Sequence, residues 1–201
     1  MSKKLAVLFI ILAVIPRIAS FNGFIQYDAR DEFVRQMALI PSEELNFLKI
    51  RGWKFELTDT DLADKYGYEG KISGVTDYEN KTIYIMNTEY SVRRALLHEA
   101  GHALASELRY PDYSEEFYEL YQLEKDNFTD CTSAGDGHEI SNPIAYYASV
   151  YQNMILDYDE TFNEVPNTVR YIERTLYYAR HYTEIIDNLS SRLSHMIILK
   201  N

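Results

Sequence analysis

Apolar positions recur at helical spacing over most of the chain, with short β-rich runs in its first half. Spacings of three and four residues indicate amphipathic helices, which bury one apolar stripe. Ser42 is the expected N-cap of one helix, while Asn142 and Pro143 suit the start of another. Helices are therefore predicted within residues 21–40 and over residues 41–52, 90–107, 113–125, 143–156, 166–188 and 189–199.

Three short segments favour β-structure. Residues 53–58 suit one strand, and residues 71–76 and 82–86 flank the polar turn 77–81, which is a hairpin signal. The last of these runs, Thr-Ile-Tyr-Ile-Met, alternates little between apolar and polar residues, as expected of a strand covered on both faces. A small sheet thus precedes the helix at 90–107, and a helical half follows it. The predicted class is α+β.

The first twenty residues differ from the remainder of the chain. Lys3 and Lys4 precede an apolar run that ends in the small residues Ala19 and Ser20. This order is typical of a secretory signal peptide, and the run is short for a membrane span. An uncleaved anchor is the alternative. Residues 1–20 are predicted to be a signal peptide and residues 21–201 a single domain, secreted and without stable membrane association after cleavage.

The charge balance restricts the partners. Removing the predicted signal peptide lowers the number of Lys and Arg residues from 20 to 17, against 31 Asp and Glu residues, and takes the net charge from −11 to −14. Such an acidic surface disfavours nucleic acid and anionic membranes. Cys131 is the only cysteine, so no internal disulfide can form. An inert thiol is the simplest interpretation, and a zinc ligand or a reactive thiol are the alternatives. We expect a monomer.

The chemistry concentrates in the predicted helix at 90–107. His98, Glu99 and His102 form an HExxH sequence within the run Leu-His-Glu-Ala-Gly-His-Ala. Side chains four residues apart share one face of a helix, so both histidines can bind one zinc ion. Glu99 can then act as general base on a water molecule bound to that zinc. The alternative is a pair of surface histidines on an ordinary helix. Leu108 stands where a third histidine six residues after His102 would lie, which leaves a later residue as third ligand.

Several stretches resemble a known family. HEAGHAL, the preceding Lys-Thr-Ile-Tyr-Ile at 81–85 and the later Ala-Tyr-Tyr-Ala-Ser-Val-Tyr at 145–151 are similar to the protease domain of anthrax lethal factor and to the Pro-Pro endopeptidases of Gram-positive bacteria. The segment 165–172 resembles the closing helix of that family. The resemblance covers roughly residues 52–189. It implies a secreted zinc endopeptidase with a zincin-like, gluzincin-type fold.

The departures from the family pattern concern the metal site. Ala145 stands where the family has the glutamate that is its third zinc ligand, and Ser149 replaces a second glutamate. His138 stands where the family has a tyrosine that stabilises the oxyanion. His138 is therefore a candidate third ligand or oxyanion donor, and Glu139 and Asp136 are neighbouring candidates for the metal. Water is the remaining way to complete a two-histidine site.

Two functions follow as hypotheses. The first is a secreted zinc metalloendopeptidase, in which a zinc-bound water attacks a peptide bond with Glu99 as general base and the protein or peptide substrate lies along residues 82–86 as an added strand. The second is a secreted binding or toxin-accessory module on the same fold, without catalysis because Ala145 replaces the third ligand. The intact HEAGH sequence favours the enzyme.

Overall fold

The computed structural model describes residues 28–130 and 140–198, with the side chains of residue 183 and residues 187–198 excepted. The predicted signal peptide lies outside these residues, as do Cys131, Asp136, His138 and Glu139. Within the described ranges, every helix is too short or too polar to cross a membrane.

Helices dominate the described residues, and a small sheet lies in the first half, so the predicted α+β class is confirmed. Short 3-10 turns span Pro111–Tyr113 and Lys125–Asn127. The strands are β1 Lys54–Thr58, β2 Gly74–Asp77 and β3 Thr82–Met86. The helices are α1 Ala29–Leu39, α2 Ser42–Ile50, α3 Leu62–Tyr66, α4 Glu89–Glu107, α5 Glu115–Glu124, α6 Pro143–Leu156, α7 Tyr158–Glu164 and α8 Pro166–Ile198.

Side-chain caps fix the start of the two helices that build the site. The Thr88 hydroxyl accepts a hydrogen bond from the Ser91 amide at 3.1 Å at the start of α4. Asn142 Oδ1 accepts from the Ala145 amide at 3.0 Å at the start of α6, as predicted. The prediction for α2 was wrong, because Pro41 is its N-cap residue and Ser42 is already helical.

Strand order corrects one expectation about substrate binding. The sheet has the order β1-β3-β2, with β1 parallel and β2 antiparallel to β3. Residues 82–86 therefore form the central strand, whose backbone groups are paired on both sides and cannot take another strand. The prediction that substrate lies along these residues was wrong, and β1 and β2 are the edges of the sheet.

The helix α4 lies between the sheet and α6. Its buried face includes Leu96, Leu97 and Leu104, which are fully buried in the core. Gly101 permits close approach of α6, since a Cβ added there would lie 3.0 Å from Ala148 Cα and 3.3 Å from Ala148 O. A side chain here would force α6 to move back by a few tenths of an ångström, so glycine suits this close crossing.

The remaining helices depart from the predicted pattern at two places. The helix α8 continues to Ile198 as one helix, where two were predicted, because no glycine or proline interrupts residues 167–198. The sequence pattern predicts no helix for the acidic stretch that follows α6. It forms α7, since Asp157 accepts from the Glu160 amide and caps a new helix.

Candidate metal centre and active site

Five partly exposed residues of the helix α4 lie along one strip of its surface. The sheet packs beside this strip at Gly74, close to Glu99, while α6 covers the side of Gly101. The strip therefore lies between β2 and α6. Its members are Arg94, His98, Glu99, His102 and Ser106.

Both histidines of the HExxH sequence lie on this strip. His98 Nε2 and His102 Nε2 are 3.1 Å apart, and the rings meet edge to face with centroids 4.7 Å apart. Zinc–imidazole bonds of about 2.0–2.1 Å in tetrahedral geometry place two ligand nitrogens about 3.3 Å from each other. The two nitrogens therefore fit a shared zinc ion with a small separation of the rings.

Ser149 fixes the other ring nitrogen of His98. Its side chain, on α6 and fully buried, places Oγ 3.2 Å from His98 Nδ1. With the ring proton on Nδ1, the nitrogen donates to Ser149 Oγ and leaves the Nε2 lone pair for a metal. Sequence comparison had identified Ser149 only as a replaced glutamate. Its contact with His98 joins residues 51 positions apart and has no local sequence signal.

The Glu99 side chain contacts the edge strand β2. The Thr76 hydroxyl lies 2.6 Å from Glu99 Oε2 and 3.1 Å from the Glu99 carbonyl oxygen. Burial raises the pKa of the Glu99 carboxyl to about 7, and the hydrogen bonds from Thr76 oppose that rise. A carboxyl with this pKa can take up and release a proton near neutral pH, which is what a general base requires. Sequence reasoning missed Thr76.

Gly74 brings β2 against this part of the helix. A Cβ added to Gly74 would lie 2.9 Å from Ala95 Cβ, 2.9 Å from Ile85 Cδ1 and 3.0 Å from Glu99 Cγ. Any side chain here would separate the strand from α4. The glycine therefore sets the distance between the edge strand and the catalytic carboxylate candidate.

Ala145 lies one helical turn before Ser149, on the same face of α6. Because Ser149 contacts His98, this face is directed at the metal candidate, which agrees with the alignment of Ala145 to a family ligand. Ala145 is 4% exposed and its methyl group offers no donor atom. In the described part of the chain, no cluster brings three His, Cys, Asp or Glu side chains together. The candidates His138, Glu139 and Asp136 lie outside the described residues.

His181 lies on the later helix α8. Its ring stacks on Tyr177 with centroids 4.0 Å apart, and Nδ1 lies 2.8 Å from the Tyr177 carbonyl oxygen. These contacts agree with the packing role that its position in a helical segment indicates.

Comparison with known proteins supports the architecture. No protein-family model matches the chain, and no curated protein matches its sequence. Among solved structures, the chain is similar to the Pro-Pro endopeptidase PPEP-2 from Paenibacillus alvei, with a TM-score of 0.55 and 18% sequence identity. The similarity covers 73% of this chain and 90% of that one. At this identity it establishes a shared fold, and it agrees with the resemblance of HEAGHAL to the Pro-Pro endopeptidases.

Proposed function

We propose that this protein is a secreted zinc endopeptidase with a zincin-like, gluzincin-type active site. His98 and His102 hold the metal, and Glu99 is the general base. The observation that carries the proposal is the 3.1 Å approach of the two Nε2 atoms on a partly exposed strip of α4. A separate surface role for the histidines would not require Ser149 to hold one ring from the neighbouring helix α6.

The metal would polarise the scissile carbonyl and lower the pKa of a water molecule toward ~7. Glu99 takes a proton from the attacking water and passes it to the amine nitrogen that leaves. The Thr76 hydroxyl holds Glu99 Oε2, and Oε1 is the oxygen that would exchange the proton. This arrangement orients the carboxylate while leaving one oxygen for proton transfer.

The edge strand β2 is the place for a peptide substrate. One side of β2 pairs with β3, and no described strand pairs with the other side. Thr76 of this strand contacts Glu99, so a peptide that adds to the free side would pass beside the base. Protein or peptide chains in an extended conformation are the substrate class that this edge suits.

His138 stays in the proposal as the third zinc ligand or as the donor to the oxyanion, with Glu139 and Asp136 as other possible ligands. In the family that the sequence resembles, a functional tyrosine stands at the position of His138, which supports this role. A positioned hydrogen-bond donor near the scissile carbonyl would stabilise the charge that develops on its oxygen.

A binding module without catalysis is the second candidate function, and one observation favours it. The face of α6 that brings Ser149 to His98 also carries Ala145. Alanine has no donor atom, so the ligand that the family resemblance implies at this position is missing. A site with two protein ligands would hold zinc weakly. The protein would then bind a partner without cleaving it.

A cleavage assay separates the two functions. The wild-type protein and its Glu99→Gln variant, both supplied with zinc, are incubated with a peptide mixture from a digested proteome, and new termini are counted by mass spectrometry. The enzyme predicts new termini with the wild type and a loss of at least about 1,000-fold in rate with Glu99→Gln, since general-base contributions reach 10²–10⁴-fold and positioning adds to them.

Glu119→Gln is the matched control, because Glu119 is an exposed glutamate on α5 away from the strip. It is expected to cleave like the wild type. Equal cleavage by Glu99→Gln would contradict the proposed base. No cleavage by a zinc-loaded wild type would favour the binding module.

A further inference from the structure

Three exposed aromatic residues, here called the tyrosine wall, lie together near the C-terminal end of α4: Tyr78, Tyr110 and Tyr113. Their exposed fractions are 45%, 46% and 67%. The Tyr78 and Tyr110 ring centroids are 6.5 Å apart, and those of Tyr110 and Tyr113 are 5.7 Å apart. Tyr78 is also backed by Trp53 at 6.3 Å. The rings thus form one continuous aromatic surface.

The tyrosine wall continues both elements that build the active site. Ser106 lies one turn beyond His102 on the exposed strip, and α4 ends at Glu107, just before Tyr110. Tyr78 follows Thr76 by two residues, so it leaves the strand on the face that contacts Glu99. At 1.5 Å per helical residue and 3.3 Å per extended residue, the wall lies roughly two to four substrate residues from the scissile bond.

The backbone that presents Tyr110 is in an unfavourable conformation. Arg109 and Tyr110 have φ angles of 67° and 55°, in the left-handed region that bulky residues avoid. The Tyr110 amide donates to the Ala105 carbonyl oxygen at 2.8 Å, which closes the end of α4. Glycine is usual at such a helix end. The presence of two large residues in this conformation therefore indicates a functional role for their side chains.

A buried acid lies beneath the wall. Asp112 is 3% exposed, and its Oδ1 atom has no hydrogen-bond partner among the described residues. Lys81 and Arg51 are engaged elsewhere, because each lies 2.6 Å from a Glu107 carboxylate oxygen. Asp112 belongs to none of the ion pairs formed by the described side chains. A backbone hydrogen bond favours the charged form of Asp112, but no described cation pairs with the carboxylate.

The negative charge of Asp112 also acts at Tyr78, one of the rings of the tyrosine wall. Burial raises the pKa of the Tyr78 hydroxyl, and the negative charges of Glu99 and Asp112 raise it further. A place where two carboxylates disfavour a phenolate is one where they favour a cation. The faces of tyrosine rings attract cations as well.

We propose that the tyrosine wall is a substrate subsite for a lysine or arginine side chain of a peptide bound along β2. The side chain lies across the ring faces of Tyr78 and Tyr110, with its charge directed toward the side of the wall that covers Asp112. The subsite rests on the proposed endopeptidase function and adds a substrate class to it. An apolar side chain would also cover the rings, but it would leave Asp112 without a counter-charge.

Binding of single amino-acid derivatives tests the subsite without requiring cleavage. The probes are N-acetyl-arginine amide, N-acetyl-lysine amide and the neutral N-acetyl-norleucine amide, titrated against the full protein by saturation-transfer NMR. We expect at least fivefold tighter binding of both basic probes than of the neutral one. If a protein that cleaves peptides binds the norleucine probe as tightly as the basic probes or more tightly, the proposed subsite is wrong. That result would not contradict the proposed endopeptidase activity.

Variants assign the binding to the wall. Tyr78→Leu and Asp112→Asn are expected to reduce the preference for basic probes to less than twofold, while Tyr118→Leu, at an exposed tyrosine of α5, leaves it unchanged. Arg109→Gln removes an exposed positive charge beside Tyr110 and is expected to tighten the basic probes by twofold or more. Weaker binding in Arg109→Gln would contradict the proposal even if Asp112→Asn failed to fold.

The enzyme assay gives a second readout. In the peptide mixture, cleavage sites are expected to show Lys or Arg enriched two to four residues from the cut bond, and Tyr78→Leu is expected to lose this enrichment while cleavage continues. Cleavage with no such enrichment would contradict the subsite.

Discussion

Ser149 Oγ lies 3.2 Å from His98 Nδ1, across the packed interface between α6 and α4. This contact places a neutral hydrogen-bond partner where the resemblance to lethal factor implies a glutamate. A serine can hold the imidazole ring and its tautomer without adding negative charge near the metal. The facing helix therefore still supports the candidate metal centre, although Ala145 contributes no ligand to it.

Replacing Ser149 by alanine is expected to weaken zinc binding by about 10- to 100-fold, which is the usual cost of losing an outer-shell partner of a ligating histidine. Affinity can be measured by competition with a chromophoric chelator. Ser106→Ala is the control, since the Ser106 hydroxyl donates to the Ala103 carbonyl oxygen 2.7 Å away on the same helix. Unchanged zinc affinity in Ser149→Ala would show that His98 needs no support from α6.

Ala145→Glu is expected to raise zinc affinity by at least about tenfold, because it returns a carboxylate ligand to the face of α6 that contacts His98. Without metal the variant should be less stable than the wild type, since a carboxylate would be buried at a position that is 4% exposed. Thermal unfolding with and without zinc measures both effects. Ala145→Gln matches the size of the new side chain without its charge, and an equal gain in affinity from both variants would argue against carboxylate ligation.

Gly74→Ala is expected to destabilise the fold by about 1–3 kcal/mol and to slow cleavage. The new methyl group would lie 2.9 Å from Ala95 Cβ and 3.0 Å from Glu99 Cγ, so β2 must move away from the base. Urea unfolding and the peptide assay measure the two effects, with Ser73→Ala as a control on the preceding residue. Wild-type stability and cleavage rate in Gly74→Ala would show that the strand does not set the position of Glu99.

Asp112→Asn is expected to stabilise the protein at neutral pH. Burial raises the pKa of Asp112 from 3.8 to about 6. Because the folded state holds this proton more tightly than the unfolded state, stability falls as the pH rises from about 4 to about 6, and the full penalty applies above that window. At 1.36 kcal/mol per pKa unit, the variant should gain at most about 3 kcal/mol at pH 8 and almost nothing at pH 4.

Urea unfolding of the wild type and of Asp112→Asn at both pH values gives this difference. A gain in stability that is the same at pH 4 and pH 8 would indicate a packing effect, and a loss at pH 8 would mean that the Asp112 charge is compensated in the folded protein.

Local patterns predicted the helices of the site well. The 14 residues of α6 were predicted with both ends correct, since Asn142 and Pro143 mark its start and the apolar periodicity stops at Leu156. The spacing of His98 and His102 similarly predicted a shared face, because four residues complete about one helical turn. Such features depend on residues that are neighbours in the sequence.

The relationships across the fold had no such signal. The apolar run of β3 predicted that both its faces are covered, but it did not show that β3 lies between β1 and β2. The contacts of Thr76 with Glu99 and of Ser149 with His98 join residues 23 and 51 positions apart. Strand order and helix packing determine these contacts, and a serine or a threonine in a single sequence does not indicate its distant partner.

Zinc stoichiometry tests most directly whether His98 and His102 share one zinc ion. The full protein and its single variants His98→Ala, His102→Ala and His181→Ala are equilibrated with micromolar zinc, and bound metal is measured by native mass spectrometry. One zinc ion is expected in the wild type and in His181→Ala, whose ring stacks on Tyr177, and none in the other two variants. A wild type without zinc, or zinc retained in both His98→Ala and His102→Ala, would contradict a shared zinc ion.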